Sequence, residues 1–217
     1  MNVPYYIGWK ASRILSGMIL RARVSGRENL PPTGGFILAS NHVAYYDPLF
    51  VGCWVPRDIY FFAKEELFEN HVFSALLQRV NALPVRRGTI DRRALKAAVA
   101  TIKEGNGLTV FPEGTRSRRG ELLNPKPGVG IIARQAECPI VPAYLSGTDQ
   151  LRRCLQGRQR LRLIYGKPLP TQWVKSFPIS KDGYQGIARG IMTEIARLKE
   201  AIMAERQSDM AGGRPLK

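Results

Sequence analysis

Cysteine and histidine are scarce in this chain of 217 residues, which has three of the first and two of the second. Cys53, Cys138 and Cys154 are far apart and odd in number, and no C-x-x-C pair occurs, so a disulfide framework and a zinc ribbon are both unsupported and a reducing compartment is the default. No cluster of metal-ligating residues is visible, and no metal is expected. Long apolar runs are missing too. No window approaches the ~18 uninterrupted apolar residues of a spanning helix. The N-terminus lacks the apolar core and small-residue cleavage site of a secretory signal, so none is expected to be removed. Negative charge is in short supply: 17 acidic side chains face 33 basic ones, leaving +16.

That excess directs the chain toward anionic partners such as nucleic acid, lipid headgroups, acidic carriers or phosphorylated small molecules. The arginines gather at 86, 87, 92 and 93, at 116, 118 and 119, and between 152 and 162. Taken singly, each cluster also fits an ordinary solvated surface. An apolar content of 44% suffices for one buried core.

Residues 4–23 place Ile7, Ala11, Ile14, Leu15 and Met18 on one helical face, with Lys10, Ser12, Arg13 and Ser16 elsewhere. Tyr5, Tyr6 and Trp9 are aromatics suited to a lipid–water boundary. Two readings stay open: an amphipathic helix lying on a membrane, or one packed on its own domain. The pattern divides the chain into a membrane-associating segment at 1–23, a domain at 24–207 and a flexible polar tail at 208–217.

Within the domain, apolar runs of strand length at 36–40, 58–63, 81–85, 108–111, 139–145 and 160–166 alternate with helical periodicity. Helices are expected at 65–79, at 91–104 with Asp91 as cap and Gly105 as stop, at 129–137 and at 183–206, with a short one opened by Asp47-Pro48. Such alternation predicts an α/β fold with a largely parallel central sheet flanked by helices, preceded by the amphipathic N-terminal segment. In such sheets ligands bind beyond the carboxyl ends of strands. The polar constellations fall there.

The first is Asn41-His42-Val43-Ala44-Tyr45-Tyr46-Asp47. On one continuous helix His42 and Asp47 would stand about 140° apart; across a strand–turn–helix junction they can meet. The carboxylate could then fix the imidazole tautomer and leave the other ring nitrogen as a base. Alternatively, Asp47 only caps a helix and His42 is structural. His71 has no comparable partner and reads as structural. The second constellation, Phe111-Pro112-Glu113-Gly114-Thr115-Arg116-Ser117-Arg118, delivers a carboxylate and two guanidiniums directly after an apolar strand. A carboxylate can accept from a hydroxyl, and arginine can fork onto phosphate.

These blocks resemble the glycerolipid acyltransferases, the family that includes 1-acylglycerol-3-phosphate acyltransferases. The likeness spans roughly residues 24–170. The family's N-H-x-x-x-x-D block matches Asn41 to Asp47, and its F-P-E-G-T-R-S block matches residues 111–117 letter for letter. Pro84-Val85-Arg86-Arg87-Gly88 and Ile140-Val141-Pro142-Ala143 stand where two further blocks do, and Lys126-Pro127-Gly128 also fits. One departure is Ala44, where many relatives carry serine.

The resemblance implies transfer of a fatty acyl group from a thioester, acyl-CoA or acyl carrier protein, to the hydroxyl of lysophosphatidic acid, giving phosphatidic acid in phospholipid biosynthesis. Glycerol 3-phosphate or another lyso-lipid is the alternative acceptor. A non-catalytic basic protein binding lipid or nucleic acid is the distant one. No nucleic-acid module is recognisable, and none is expected to bind. His42 would be the base and Asp47 its orienting partner, and no cofactor is needed. Glu113, Gly114, Thr115, Arg116, Arg87 and Lys126 would bind the acceptor. Ile140, Val141 and Pro142 would form strand core, line an acyl channel, or both. The expected location is peripheral or monotopic, on an anionic membrane surface at the cytoplasmic face.

Overall fold

A computed structural model of the chain describes residues 3–86, 88 and 91–211, without the side chains of residue 4 and of 208–211. Its centre is a seven-stranded sheet in the order β1-β7-β6-β2-β5-β3-β4. The strands are β1 (Arg23–Ser25), β2 (Phe36–Ser40), β3 (Ile59–Lys64), β4 (Ala82–Val85), β5 (Gly107–Val110), β6 (Ile140–Ser146) and β7 (Arg162–Tyr165). Neighbours pair in parallel except β6 with β7, which run antiparallel. The largely parallel sheet read from the sequence is thus present, with β1 as an added edge strand too short to register as an apolar run.

The helices are α1 (Val3–Ile14), α2 (Asp47–Gly52), α3 (His71–Arg79), α4 (Arg92–Lys103), α5 (Gly128–Ala136), α6 (Leu151–Leu155), α7 (Thr171–Lys175) and α8 (Lys181–Ala211). Two apolar cores lie on opposite faces of the sheet. One joins Ile37, Ala39, Leu108 and Ile140 to Ala98 and Ile102 of α4, Ile132 of α5 and Ile187, Ile191 and Ile195 of α8. The other joins Phe36, Leu38, Val141 and Leu163 to Phe50 and Val51 of α2. Alternate residues of β2 and β6 therefore point to opposite cores, as the period-2 geometry of a strand buried on both faces requires.

Local signals account for most helix ends. The Asp91 side chain accepts from the amides of Arg93 and Ala94, capping α4, and Gly105 stops it at φ +88°. The single helix expected over 65–79 is instead two pieces. A 3₁₀ turn (Glu65–Phe68) ends before Asn70, whose side chain accepts from the amides of Val72 and Phe73 and so starts α3 afresh. An asparagine that caps so well interrupts a periodic pattern. α8 runs on to Ala211, four residues into the segment expected to be a tail, and residues 212–217 lie outside the described residues.

α1 inverts the usual logic of an amphipathic helix. Its inward face is Tyr5, Trp9 and, in the π-helical turn that follows (Leu15–Ile19), Ser16. The Tyr5 hydroxyl accepts from the Ile59 amide at 3.0 Å, and the Trp9 indole donates to the Val55 carbonyl at 3.1 Å. The face picked out by periodicity points away from the domain, with Ile7 61%, Ile14 53% and Met18 77% exposed. Among the described residues no helix is long and apolar enough to cross a membrane.

Candidate active site

β2 and β5 are neighbours in the sheet, so the segments leaving their carboxyl ends are brought side by side. One is the His42–Asp47 turn, the other the loop from Phe111 to Ser117. The two are stitched by main chain: the Ser117 amide donates to the His42 carbonyl at 2.7 Å. Asn41 fixes the turn from the other side, its side chain bonded both ways to the main chain of Leu145 on β6, at 2.8 and 2.9 Å.

Within the turn, His42 Nδ1 lies 2.9 Å from Asp47 Oδ2. The same oxygen accepts from the amides of Val43 at 2.6 Å and Ala44 at 2.8 Å. The other oxygen, Oδ1, accepts from the hydroxyl of Thr148 at 2.6 Å. Asp47 is 0% exposed and His42 7%. A carboxylate so deeply buried is tolerated because each oxygen is hydrogen-bonded and three amide or hydroxyl dipoles point at it. Asp47 opens α2 but accepts nothing from that helix's own amides. Its bonds run back into the turn, so the helix-cap reading gives way to one of orienting the imidazole. The Ala44 position contributes its amide, which explains why the missing serine hydroxyl leaves this arrangement whole. The His42 ring stacks on Phe111 with centroids 4.1 Å apart, holding the plane that the Asp47 bond selects.

Glu113 occupies a place the sequence did not suggest. It is buried, and its two oxygens accept from the amides of His42 at 3.1 Å and Leu123 at 3.0 Å. Burial pushes its carboxyl above the usual carboxylate range, against the pull of the Leu123 and His42 amides. The expectation was that Glu113 binds the acceptor; the contacts it makes in the structure are with main-chain amides. These bonds clamp the backbone of His42 to that of Leu123, as a buried carboxylate is held by the nearest donors.

Gly114 has φ +65°, and a Cβ there would meet the Lys126 side chain at 2.8 Å. The glycine lets the exposed Lys126 lie across the turn. Gly114 and Thr115 are exposed, and Arg116 is half-buried with its guanidinium 3.4 Å from the centroid of the Tyr45 ring. The structure thus brings Gly114, Thr115, Arg116 and Lys126 to the His42 turn. Arg87 lies outside the described residues. Its neighbour Arg86 is held by Glu65 at 2.6 Å, which also binds Arg93, and so follows β4 at the far edge of the sheet. Ile140, Val141 and Pro142 are buried in β6 as strand core. An apolar groove lies elsewhere, between α1, α2 and β3, and those three residues do not line it. His71 is the exposed first residue of α3 rather than a mid-helix residue.

Sequence reasoning missed Thr148, which stands 101 positions from the carboxylate it supports and carries no local signature. It also missed Asn41 as a tether, although that asparagine lies inside the block. The three cysteines are buried and free, and burial pushes the thiols of Cys53 to about 11 and Cys138 to about 12. They are poor nucleophiles. Among the described residues no group of His, Cys, Asp and Glu is placed to hold a metal ion.

Residues 21–146 match the family model for Acyltransferase, a span holding every member of the site except Thr148. The chain belongs to the acyltransferase family. Its relatives include the 1-acyl-sn-glycerol-3-phosphate acyltransferase of Bacillus subtilis, 32% identical over 68% of this chain and 73% of that protein. The enzyme of the same name from Streptococcus pneumoniae is 28% identical over 76% of this chain and 61% of its own length. Among solved structures, the 1-acyl-sn-glycerophosphate (LPA) acyltransferase PlsC of Thermotoga maritima superposes with a TM-score of 0.67. It is 25% identical, with 88% of this chain and 79% of that one covered.

Proposed function

We propose that the chain transfers a fatty acyl group from a thioester donor, acyl-CoA or acyl carrier protein, to the free hydroxyl of lysophosphatidic acid at an anionic membrane surface on the cytoplasmic side, making phosphatidic acid for phospholipid synthesis. The observation that carries this reading is the 2.9 Å contact of His42 Nδ1 with a fully buried Asp47. With Nδ1 committed to the carboxylate, Nε2 is the nitrogen left to take a proton.

The acceptor hydroxyl gives its proton to His42 Nε2 as its oxygen attacks the thioester carbonyl. Asp47 stabilises the imidazolium that forms, and Thr148, Val43 and Ala44 keep the carboxylate in place. The tetrahedral intermediate collapses with loss of the C–S bond, and the proton returns to the departing sulfur. The cysteines, with their raised pKa values, supply no covalent acyl carrier. Arg116 and Lys126 stand beside the turn to bind the acceptor phosphate, with Arg87 joining them on the strength of the family pattern. The apolar groove begins at Pro48 and Leu49, directly after Asp47, and offers an acyl chain shelter from water.

The test is acyl transfer from a labelled thioester to lysophosphatidic acid. His42→Ala is expected to lower the rate about 10²–10⁴-fold, the loss that follows removal of a general base. Near-full activity in that variant would exclude this mechanism. Thr148→Val keeps the shape and removes one hydrogen bond to a buried charge. It is expected to lower kcat by about 10–100-fold, with KM little changed and Thr148→Ser restoring most of it.

A further inference from the structure

α3 repeats the inversion seen in α1. At about 100° per residue, Val72, Phe73, Leu76, Leu77 and Val80 fall within one arc of about 140°, and His71, Ser74, Ala75, Gln78 and Arg79 fill the rest. Such a helix ordinarily turns the apolar arc to its own domain. Here it does not: Val72 is 80% exposed, Phe73 56% and Leu76 51%, and no residue of α3 is buried. Leu67, in the 3₁₀ turn before it, is exposed as well.

The two inverted helices are in contact. The groove between α1 and the domain is lined by Tyr5 and Trp9 of α1, Leu49 of α2, Ile59 and Phe61 of β3, and Val80 at the end of α3. An apolar lining therefore runs from α1 across the groove to the end of α3. It passes Leu49, itself exposed and two residues beyond Asp47.

We propose that α3 is a second membrane-contacting element, which lays Val72, Phe73 and Leu76 into the headgroup–acyl boundary of an anionic bilayer in concert with α1. This rests on the membrane-surface reading above. Charge favours a bilayer over a second copy of the chain. The net charge is +16, Lys10 and Arg79 are exposed on the two helices, and Glu65 and Glu66 beside α3 are ion-paired with Arg86, Arg93 and Lys64. Two such surfaces meeting face to face would bring like charge together, whereas anionic lipid neutralises it. Tyr6, 40% exposed on α1, has the Lys10 ammonium 5.0 Å from its ring, the pairing of amphipathic ring and cation suited to a headgroup layer. Two amphipathic helices also add their buried apolar area, with which interfacial binding strength scales.

The experiment uses the full chain and vesicles of phosphatidylglycerol and phosphatidylcholine with brominated acyl chains. Phe73→Trp adds a reporter on the apolar arc and Gln78→Trp one on the polar arc. The expected result for Phe73→Trp is quenching of the added indole's emission beyond that of the wild-type tryptophans, with little added quenching in the Gln78→Trp control. A reporter at position 73 left unquenched while the protein floats with the vesicles would overturn the proposal and leave membrane binding through α1 standing. So would burial of that reporter by self-association in the absence of lipid. The triple variant Val72→Ser/Phe73→Ser/Leu76→Ser should partition about tenfold or more weakly into the same vesicles at an unchanged melting temperature. Unchanged partitioning would count against the proposal. A wild-type chain that binds no vesicles removes the membrane reading and this one together. Acyl transfer in detergent micelles then reports separately whether the chemistry stands.

Discussion

α4 and α3 have much in common. Both are amphipathic, both are opened by a side chain that accepts two amide hydrogens, and both pack beside β4. α4 buries Ala94, Ala98, Thr101 and Ile102, with Ala98 and Ile102 in the core on one face of the sheet. α3 buries nothing and presents Val72, Phe73 and Leu76 outward. Periodicity establishes that a helix has two faces. What covers the apolar one is decided by where the chain before and after it has been fixed.

The contrast is sharpest in stability. Ile102→Ala removes a buried branched side chain from a packed layer and is expected to cost about 2–5 kcal/mol in urea unfolding. A smaller loss would mean that α4 is less essential to the core than its burial implies. The caps should separate the helices next. Asp91→Ala should lower global stability by about 1 kcal/mol, because α4 unfolds with the domain. Asn70→Ala weakens a helix that the core does not hold, so it should raise amide exchange across α3 while the global midpoint barely moves. Equal midpoint shifts for the two caps would break the comparison. Leu76→Ala marks the small end, expected within about 0.5 kcal/mol of wild type in the absence of lipid. A core-like penalty there would show that α3 is covered in solution.

The site divides along the same line. The His42 clamp is built from residues far apart in the chain: Asn41 on Leu145, Glu113 on the His42 amide, Thr148 on Asp47. Each is buried and fully engaged, which keeps the imidazole in one orientation. Lys126, by contrast, is exposed, and Arg116 is half-buried against the Tyr45 ring.

The block letters pick out residues that the structure gathers at the His42 turn, but they give no sign of what Glu113 touches. A carboxylate between Pro112 and Gly114 looks like a group on a turn. Only the tertiary fold, which sets the His42 and Leu123 amides within 3.1 Å of its oxygens, shows that it ties two loops together. The interruption at Asn70 was legible in principle, since asparagine two and three residues before free amides is a cap signal. The apolar periodicity through Leu67, Val72 and Leu76 outweighed it.

By itself the sequence determined the alternation of strands and helices, the order of the motif blocks, and the placement of His42 and Asp47 at a strand–turn–helix junction. Those features follow from local propensity, hydrophobic period and residue spacing, which act over a few positions. The tertiary structure alone decided the strand order that sets β2 beside β5, the reach of Thr148 to Asp47, the inward turn of Glu113, and the outward turn of α1 and α3. These depend on contacts between segments tens of residues apart, and no local pattern encodes which surface a folded chain leaves uncovered.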